Sequence, residues 1–538
     1  MNFFKTKIRQ FAHEDDGAFA LIFAVISIVL IATGGSAVDF VSIQQNRSTA
    51  QISMDAAVLA LQPEIYTKSP SQIKTLAEAM LLESINNSDI TILLRTPVVD
   101  TEAGTLLLTA DISRPTVFVK LVGVDRMRAT IISEATRAKN LLEVAMVLDN
   151  SGSMRGSRIA NLQSAANLAV DILSGGDNRP DKVFIGLVPF NQYVNLGNGG
   201  RNSKGIDVRG RSSISWDNFD DDHDPATGHN PNQSSDRLDR LALYDELTND
   251  EWKGCVEARP HDSSKPIAER LDVNDEIPVN RDGDTLFVPV FEPDLPDWED
   301  RWGNYDGQRG YLRDYQTSCS WNNGHSDRVR QERVCKYTNR SVSFGRSSEN
   351  GDGPNAGCGD AEVLPLTNRM TRVKNAINAM VADGGTNIHM GTIWGWRVLS
   401  PTKPYTQGAE YDAGSSKVMI IMTDGQNYAS QSNTLNGAYY YSAYGWPYNE
   451  RLGRVGWSNS QMITEMDNRT KMSCTNAKAA GIEVYTIGLG ISSGSTNGRM
   501  LTDCATSSSH DFFPSSPSDL NATFKKIADQ LSDLRISR

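Results

Sequence analysis

No charged residue stands between Gly17 and Val38, in the run GAFALIFAVISIVLIATGGSAV. At about 1.5 Å rise per residue, a helix over this run reaches about 33 Å, enough to cross a bilayer's hydrocarbon core. Lys5, Lys7 and Arg9 precede the run and Asp39 comes directly after it. The positive-inside rule then keeps residues 1–16 in the cytoplasm, lays 17–38 across the membrane and exports the chain from Asp39 onward. The competing reading is a cleaved signal peptide with Gly35-Ser36-Ala37 as its small-residue site. The length of the run and the acidic Glu14, Asp15 and Asp16 favour an anchor.

The exported part has room for two or three domains with a sizeable core, since the chain has 538 residues. Its 53 basic against 65 acidic residues give a formal net charge of -12, which argues against a nucleic-acid partner. There are six cysteines, none in a C-x-x-C pair, so a zinc ribbon or a thioredoxin-like motif is not expected. In an exported chain an even count reads as disulfides. Cys474 and Cys504 bracket one predicted strand and are expected to pair. Cys255, Cys319, Cys335 and Cys358 leave three connectivities open.

Residues 39–138 read as a helix plus a small α+β segment. A helix over Asp39–Gln62 stops at Pro63, a short one covers Ile73–Leu82, and strand-like runs fall at Ile90–Leu94, Leu106–Ile112 and Val117–Leu121. From Leu141 the pattern becomes alternating strand and helix. LLEVAMVL (141–148) and VFIGLVPF (183–190) are continuous apolar runs, as strands buried on both faces require. Ile159, Leu162, Ala166, Ala169, Val170 and Leu173 mark a helix between them. VMIIM (418–422) and IEVYTIGLG (482–490) are further strands. Met370, Val373, Ile377 and Met380 line one helix, and Leu520, Phe524, Ile527, Leu531 and Leu534 line a closing helix capped near Ser518. The fold class predicted is α/β, a doubly wound, mostly parallel, Rossmann-like sheet.

That alternation breaks between 191 and 365, where the chain is polar and carries four of the six cysteines. The segment reads as an insertion between a first half, 141–190, and a second half, 366–538. Disulfides would supply the rigidity that its small apolar content does not.

One constellation carries chemistry. In AMVLDNSGSMRGS (145–157) a buried strand ends in Asp149, Ser151 and Ser153, at the rim where open α/β sheets place ligands. Thr386 lies in the Gly-rich DGGTNIHMG and Asp424 comes directly after the strand in VMIIMTDGQ. Hydroxyl and carboxylate oxygens converging there suit Mg²⁺, or Mn²⁺ or Ca²⁺ in its place. A cation with few direct carboxylates would stay electrophilic and accept an acidic oxygen from a partner. The bland reading of Asp149 and Ser151 is turn and helix capping.

D-x-S-x-S after a first strand, a later Gly-Thr loop and a strand ending in T-D-G together resemble the metal-ion-dependent adhesion site of von Willebrand factor A (VWA) domains. The resemblance implies Ser151, Ser153 and Thr386 as direct ligands, with Asp149 and Asp424 in the first or second shell. A second resemblance covers most of the chain. The apolar N-terminus with AQISMDAAVLALQ after it, together with EWKGCVEARP (251–260) and GTIWGWRVLSP (391–401), is similar to TadG-like proteins of the bacterial tight adherence (Tad, or Flp) pilus-assembly system. It implies a single-pass inner-membrane protein with a periplasmic VWA domain split by an insertion. It also implies a role in pilus assembly or anchoring and surface adhesion, with pilus-assembly components or pilin as protein partners. Prepilins of that system are cut after a Gly with a Glu five residues on; here Ile22 stands five after Gly17.

Two other functions stay open: a cell-surface adhesin for host or matrix protein, and a structural envelope protein with a vestigial metal site. Catalysis is not expected, since there is no G-x-S-x-G elbow, Walker A loop, G-x-G-x-x-G after a strand or H-E-x-x-H. The acidic run 220–224 reads as a solvated loop. His389 reads as a surface residue or one behind the ligands, and Trp394 and Trp396 as core or insertion contacts.

Overall fold

The computed structural model describes residues 15–66, 68–85, 89–100, 105–136, 141–199, 204–219, 238–296, 310–312, 327–342, 353–411 and 414–536. Residues 1–14, the acidic run 220–224 and Cys319 lie outside the described residues. The chain divides near residue 138 into two compact units.

In the first unit the apolar run and the helix expected after it are one element, α1 (Asp15–Leu61, 47 residues). Nothing at the junction breaks it, and at 1.5 Å per residue it is about 70 Å long. Pro63 falls in the 3₁₀ turn Gln62–Tyr66 that ends the run. The next helix, α2 (Pro70–Ile85), begins as its sequence dictates. Pro70 takes the first helical position, and Ser69 and Gln72 bond each other's backbone N–H groups. Four antiparallel strands come next: β1 (Thr91–Leu94), β2 (Val98–Asp100), β3 (Thr105–Pro115) and β4 (Arg126–Thr136). Leu106, Leu108, Ala110 and Ile112 alternate inward along β3 and pack with Met54, Val58, Ile73 and Leu81. Val117–Leu121 is not the strand its apolar pattern predicts. Its backbone N–H groups bond the Asp39 carboxylate of α1, and the chain turns there into a 3₁₀ helix at Val119–Val122.

The second unit is built on a six-stranded, mostly parallel sheet. Its elements are β5 (Leu141–Asp149), α3 (Ser157–Ser174), β6 (Val183–Phe190), β7 (Leu364–Thr367), α4 (Met370–Asn378), α5 (Ile388–Leu399), β8 (Ser415–Thr423), α6 (Asn459–Ala479), β9 (Glu483–Gly488), α7 (Thr496–Cys504), β10 (Asp511–Phe512) and α8 (Leu520–Ile536). The strand order is β10-β9-β8-β5-β6-β7, with β7 antiparallel at one edge. Alternate residues of the central strands feed two cores. Val144, Met146 and Leu148 with Val418 and Ile420 pack with α3, α4 and α8. Ala145 and Val147 with Met419 and Ile421 pack with α5 to α7. The cap expected near Ser518 is Ser516, which closes a capping box with Asp519 on the 3₁₀ turn Pro517–Asp519.

The segment 191–365 is richer in buried apolar residues than its sparse look suggests, and they extend the core on the α5-to-α7 face of the sheet. Tyr244, Phe291, Tyr337 and Phe219 are buried and meet edge to face at centroid distances of 4.8 to 5.7 Å. The stretch 425–458 packs on it: Ala258 N donates to Ala443 O at 2.8 Å, and Arg451 bonds Asp217 and Glu257 beside the buried Arg240. Cys474–Cys504 is formed, as expected, and joins α6 to α7. Cys255–Cys358 crosslinks the insertion to itself, and Cys335 is also disulfide-bonded.

A buried ion pair crosses the sheet. Lys417 Nζ lies 2.5 Å from Glu143 Oε2, with each side chain 2% exposed. Glu143 also accepts from Ala409 N, and Lys417 donates to Leu399 O. Removing one partner strands the other charge, so Lys417→Met should cost about 3–5 kcal/mol in denaturant unfolding. Adding Glu143→Gln should restore most of it.

Candidate metal centre

Parallel pairing sets the site. Leu148 lies opposite Met422 and Asp149 opposite Phe190, so β5, β6 and β8 end together. Asp149 is fully buried there. Its Oδ1 accepts from Ser151 N at 2.8 Å, and its Oδ2 accepts from the Thr423 hydroxyl at 2.6 Å. The first bond is the local turn that the bland reading foresaw. The second joins β5 to β8 and falls to Thr423, a residue quoted in the T-D-G motif without a role.

The loop carrying Thr386 is locked against the one after β5. Gly152 N donates to Gly384 O and Asp383 N to Asn150 O, both at 2.9 Å. Gly384 has φ +75° and a Cβ there would stand 2.8 Å from Asn191 Nδ2, so the position suits glycine alone. Asn387 caps α5 by accepting from Met390 N, and its own N–H donates to Asn191 O at 2.8 Å.

All five expected side chains come together at this edge. Thr386 Oγ1 lies 2.9 Å from Ser151 Oγ, Ser151 Oγ 3.1 Å from Ser153 Oγ, and Ser153 Oγ 2.5 Å from Asp424 Oδ1. Adjacent oxygens of an octahedron with metal–oxygen bonds of about 2.1 Å are about 3.0 Å apart, so the Thr386–Ser151 and Ser151–Ser153 separations, hydrogen-bond lengths as they stand, also fit neighbouring ligands of Mg²⁺. The donor set is all hard oxygen. Among the described residues no group of three or more His, Cys, Asp or Glu could hold a metal, so any such centre depends on hydroxyls.

The charges are handled unequally. Arg158 Nη1 is 2.5 Å from Asp424 Oδ2, a contact that sequence reasoning missed; only its place as the second residue of α3, just after the Asp149 loop, hinted at it. Burial pushes the Asp149 carboxyl up to about 6, and the nearby Asp424 adds to the rise, against the hydrogen bonds from Ser151 and Thr423.

His389 is a core residue rather than a surface one. It is fully buried, with Nε2 2.9 Å from Asp272 O and Nδ1 2.7 Å from the Tyr444 hydroxyl. Burial lowers it to about 4. Trp394 and Trp396 are buried as expected, Trp394 packing against Phe287 of the insertion at 4.7 Å between centroids.

No family model matches the chain, and no curated protein matches it in sequence. Similar solved structures include the von Willebrand factor domain of the type V pili tip protein Mfa5 from Porphyromonas gingivalis. It is 11% identical with a TM-score of 0.32, over 73% of this chain and 95% of that one. The PilB minor pilin of Streptococcus sanguinis, in a mutant form, is 12% identical with a TM-score of 0.33, over 84% and 81%. The pilus adhesin SpaC of Lactobacillus rhamnosus GG is 12% identical with a TM-score of 0.30; the match takes in 83% of this chain but 35% of SpaC.

The raised Asp149 carboxyl predicts a pH dependence in metal-free protein. Its stabilising contribution is full below its ordinary value of 3.8 and is lost as pH rises through about 6. Wild type in EDTA should therefore lose on the order of 2–3 kcal/mol relative to Asp149→Asn between about pH 4 and about pH 7. Paired thermal melts across that range measure it.

Proposed function

We propose that this is a membrane-anchored binding protein whose exported α/β unit holds Mg²⁺, or Mn²⁺ or Ca²⁺, at the carboxyl edge of its sheet. Ser151, Ser153 and Thr386 are the direct ligands, and Asp149 and Asp424 lie in the shell or just behind it. On this reading 141–190 and 366–538 form one doubly wound VWA-type domain, split by 191–365 and carried on the N-terminal helix. The observation that carries it is the chain of oxygens Thr386–Ser151–Ser153–Asp424, at 2.9, 3.1 and 2.5 Å, on three separate loops.

When bound, the cation supplies an electrophilic position for an acidic oxygen of a partner protein. The role is binding rather than catalysis. With the N-terminal resemblance, the partner is a pilus-assembly component or pilin of a Tad/Flp-type system, met in the periplasm. The apolar span of α1 supports the anchor, being long and apolar enough to cross a membrane.

Titration calorimetry with Mg²⁺ and Mn²⁺ tests the site. One binding event is expected in wild type, weakened at least about tenfold in Ser151→Ala/Ser153→Ala, the loss of about 1.4 kcal/mol or more that two direct ligands would bring. Heat-free titrations of a folded wild-type protein would refute the reading. Crosslinking in intact envelopes should give pilus-component adducts that EDTA and the double variant both remove.

A further inference from the structure

In the first unit, the loop between β3 and β4 descends along α1 into the apolar run. Arg114, at the end of β3, bonds Ser42. Val117, Phe118 and Val119 then donate their N–H groups to the Asp39 carboxylate at 3.1, 2.9 and 2.9 Å. Phe118 lies directly on Gly35, where its ring leaves no room for a Cβ. From Ser42 to Gly35 is seven residues of helix, about 10 Å along its axis. The loop thus passes Asp39, the first charge after the apolar run, and ends beside residues within that run.

What the loop presents there is apolar. Val117 is 70% exposed, Leu121 55%, Val122 57% and Val124 43%. Lys120 is the one charge between Pro115 and Val124. Single exposed apolar residues are ordinary, but four within eight residues of one tip form a patch. Among the described residues, the apolar core that the sheet shares with α1 starts at Ile43 and runs to Leu61. Asp39 suits such a boundary, because three backbone donors satisfy its carboxylate and it is only 9% exposed.

We propose that the Val117–Val124 tip is a membrane-inserted wedge, which dips into the headgroup and upper acyl region beside α1 while Lys120 reaches back to the phosphates. The occupant of the patch is the lipid bilayer, since the tip is bonded to the helix at the level where the apolar span ends. The wedge fixes the depth and tilt of α1 and seats the β-sheet of this unit on the membrane surface. It rests on the anchor reading of α1.

The test uses the full chain in nanodiscs of phosphatidylcholine and phosphatidylglycerol, with an environment-sensitive fluorophore on one introduced cysteine at a time. The cysteines among the described residues are all disulfide-bonded and leave the label to the new site. Leu121→Cys and Val122→Cys probe the tip, Val29→Cys the span, and Glu83→Cys a water control. Glu83 adjoins Ser84, whose hydroxyl lies 2.8 Å from that of Ser53, some fourteen residues or about 21 Å past Asp39.

Expected are blue-shifted emission at 121 and 122 and loss of fluorescence to lipids bearing a shallow doxyl quencher, with Glu83→Cys unaffected. A water-like tip beside a lipid-quenched Val29→Cys overturns the wedge and leaves the anchor standing. A water-like Val29→Cys overturns the anchor itself. A blue-shifted tip that lipid quenchers do not reach means that protein covers the patch, and overturns the wedge as well.

Discussion

One buried carboxylate organises the rim of the second unit. Asp149 ends the strand at the middle of a parallel sheet, and its two oxygens tie the next turn to the neighbouring strand through Ser151 N and the Thr423 hydroxyl. A carboxylate so far from water is costly unless hydrogen-bonded or paired. Here the bonds come from an amide and a hydroxyl, which satisfy its lone pairs and leave its charge unmatched. That residual charge raises its proton affinity, and it favours a cation for the same reason. Asp424 is different, because Arg158 already stands on it. The rim therefore holds one carboxylate with a guanidinium partner and one without, joined by a row of hydroxyls. A cation arriving there would meet the unmatched charge behind the hydroxyls and would have to share Asp424 with Arg158.

The central strands were legible because burial on both faces writes an unbroken apolar run, as in 141–148 and 183–190. The meeting of Asp149, Ser151, Ser153, Thr386 and Asp424 at one sheet edge was legible for the same reason: each closes or follows such a run or sits in a glycine-bearing loop. Helix α5 was not, since every residue from Ile388 to Leu399 is buried and no polar face gives it a period. Helix α6 was missed for the opposite cause. Its inner face carries Asp467, Arg469 and Asn476, which bond residues outside the helix, and Thr470 and Ser473, whose hydroxyls bond carbonyls of the helix itself. Asn476, for one, donates to Ile267 O and Val273 O. Val117–Leu121 reads as strand by alternation alone, but a carboxylate 78 residues earlier takes its N–H groups. Such long-range partners leave no local trace. The same holds for the apolar residues of 191–365, whose short runs, such as LFVPVF (286–291), are separated by long polar stretches and meet only in the fold.

These residues bear on the hydroxyl-lined rim. Thr386 is held by its neighbour Asn387, which donates its N–H to Asn191 O and meets the Tyr444 hydroxyl at 3.1 Å. Asn191 in turn donates to Gly357 O, next to the Cys255–Cys358 disulfide. Tyr444 belongs to the 425–458 stretch, which also places Tyr428 N on Thr386 O at 2.8 Å. Both long excursions from the α/β pattern thus end on the loop that carries one hydroxyl of the constellation. Hydroxyl ligands bind a cation weakly when they must be ordered at the moment of binding, since the ordering entropy opposes them. Loops locked in advance by a disulfide, a positive-φ glycine and buried amides remove much of that cost. The segment 191–365 and the stretch 425–458 thus frame the rim that carries Thr386.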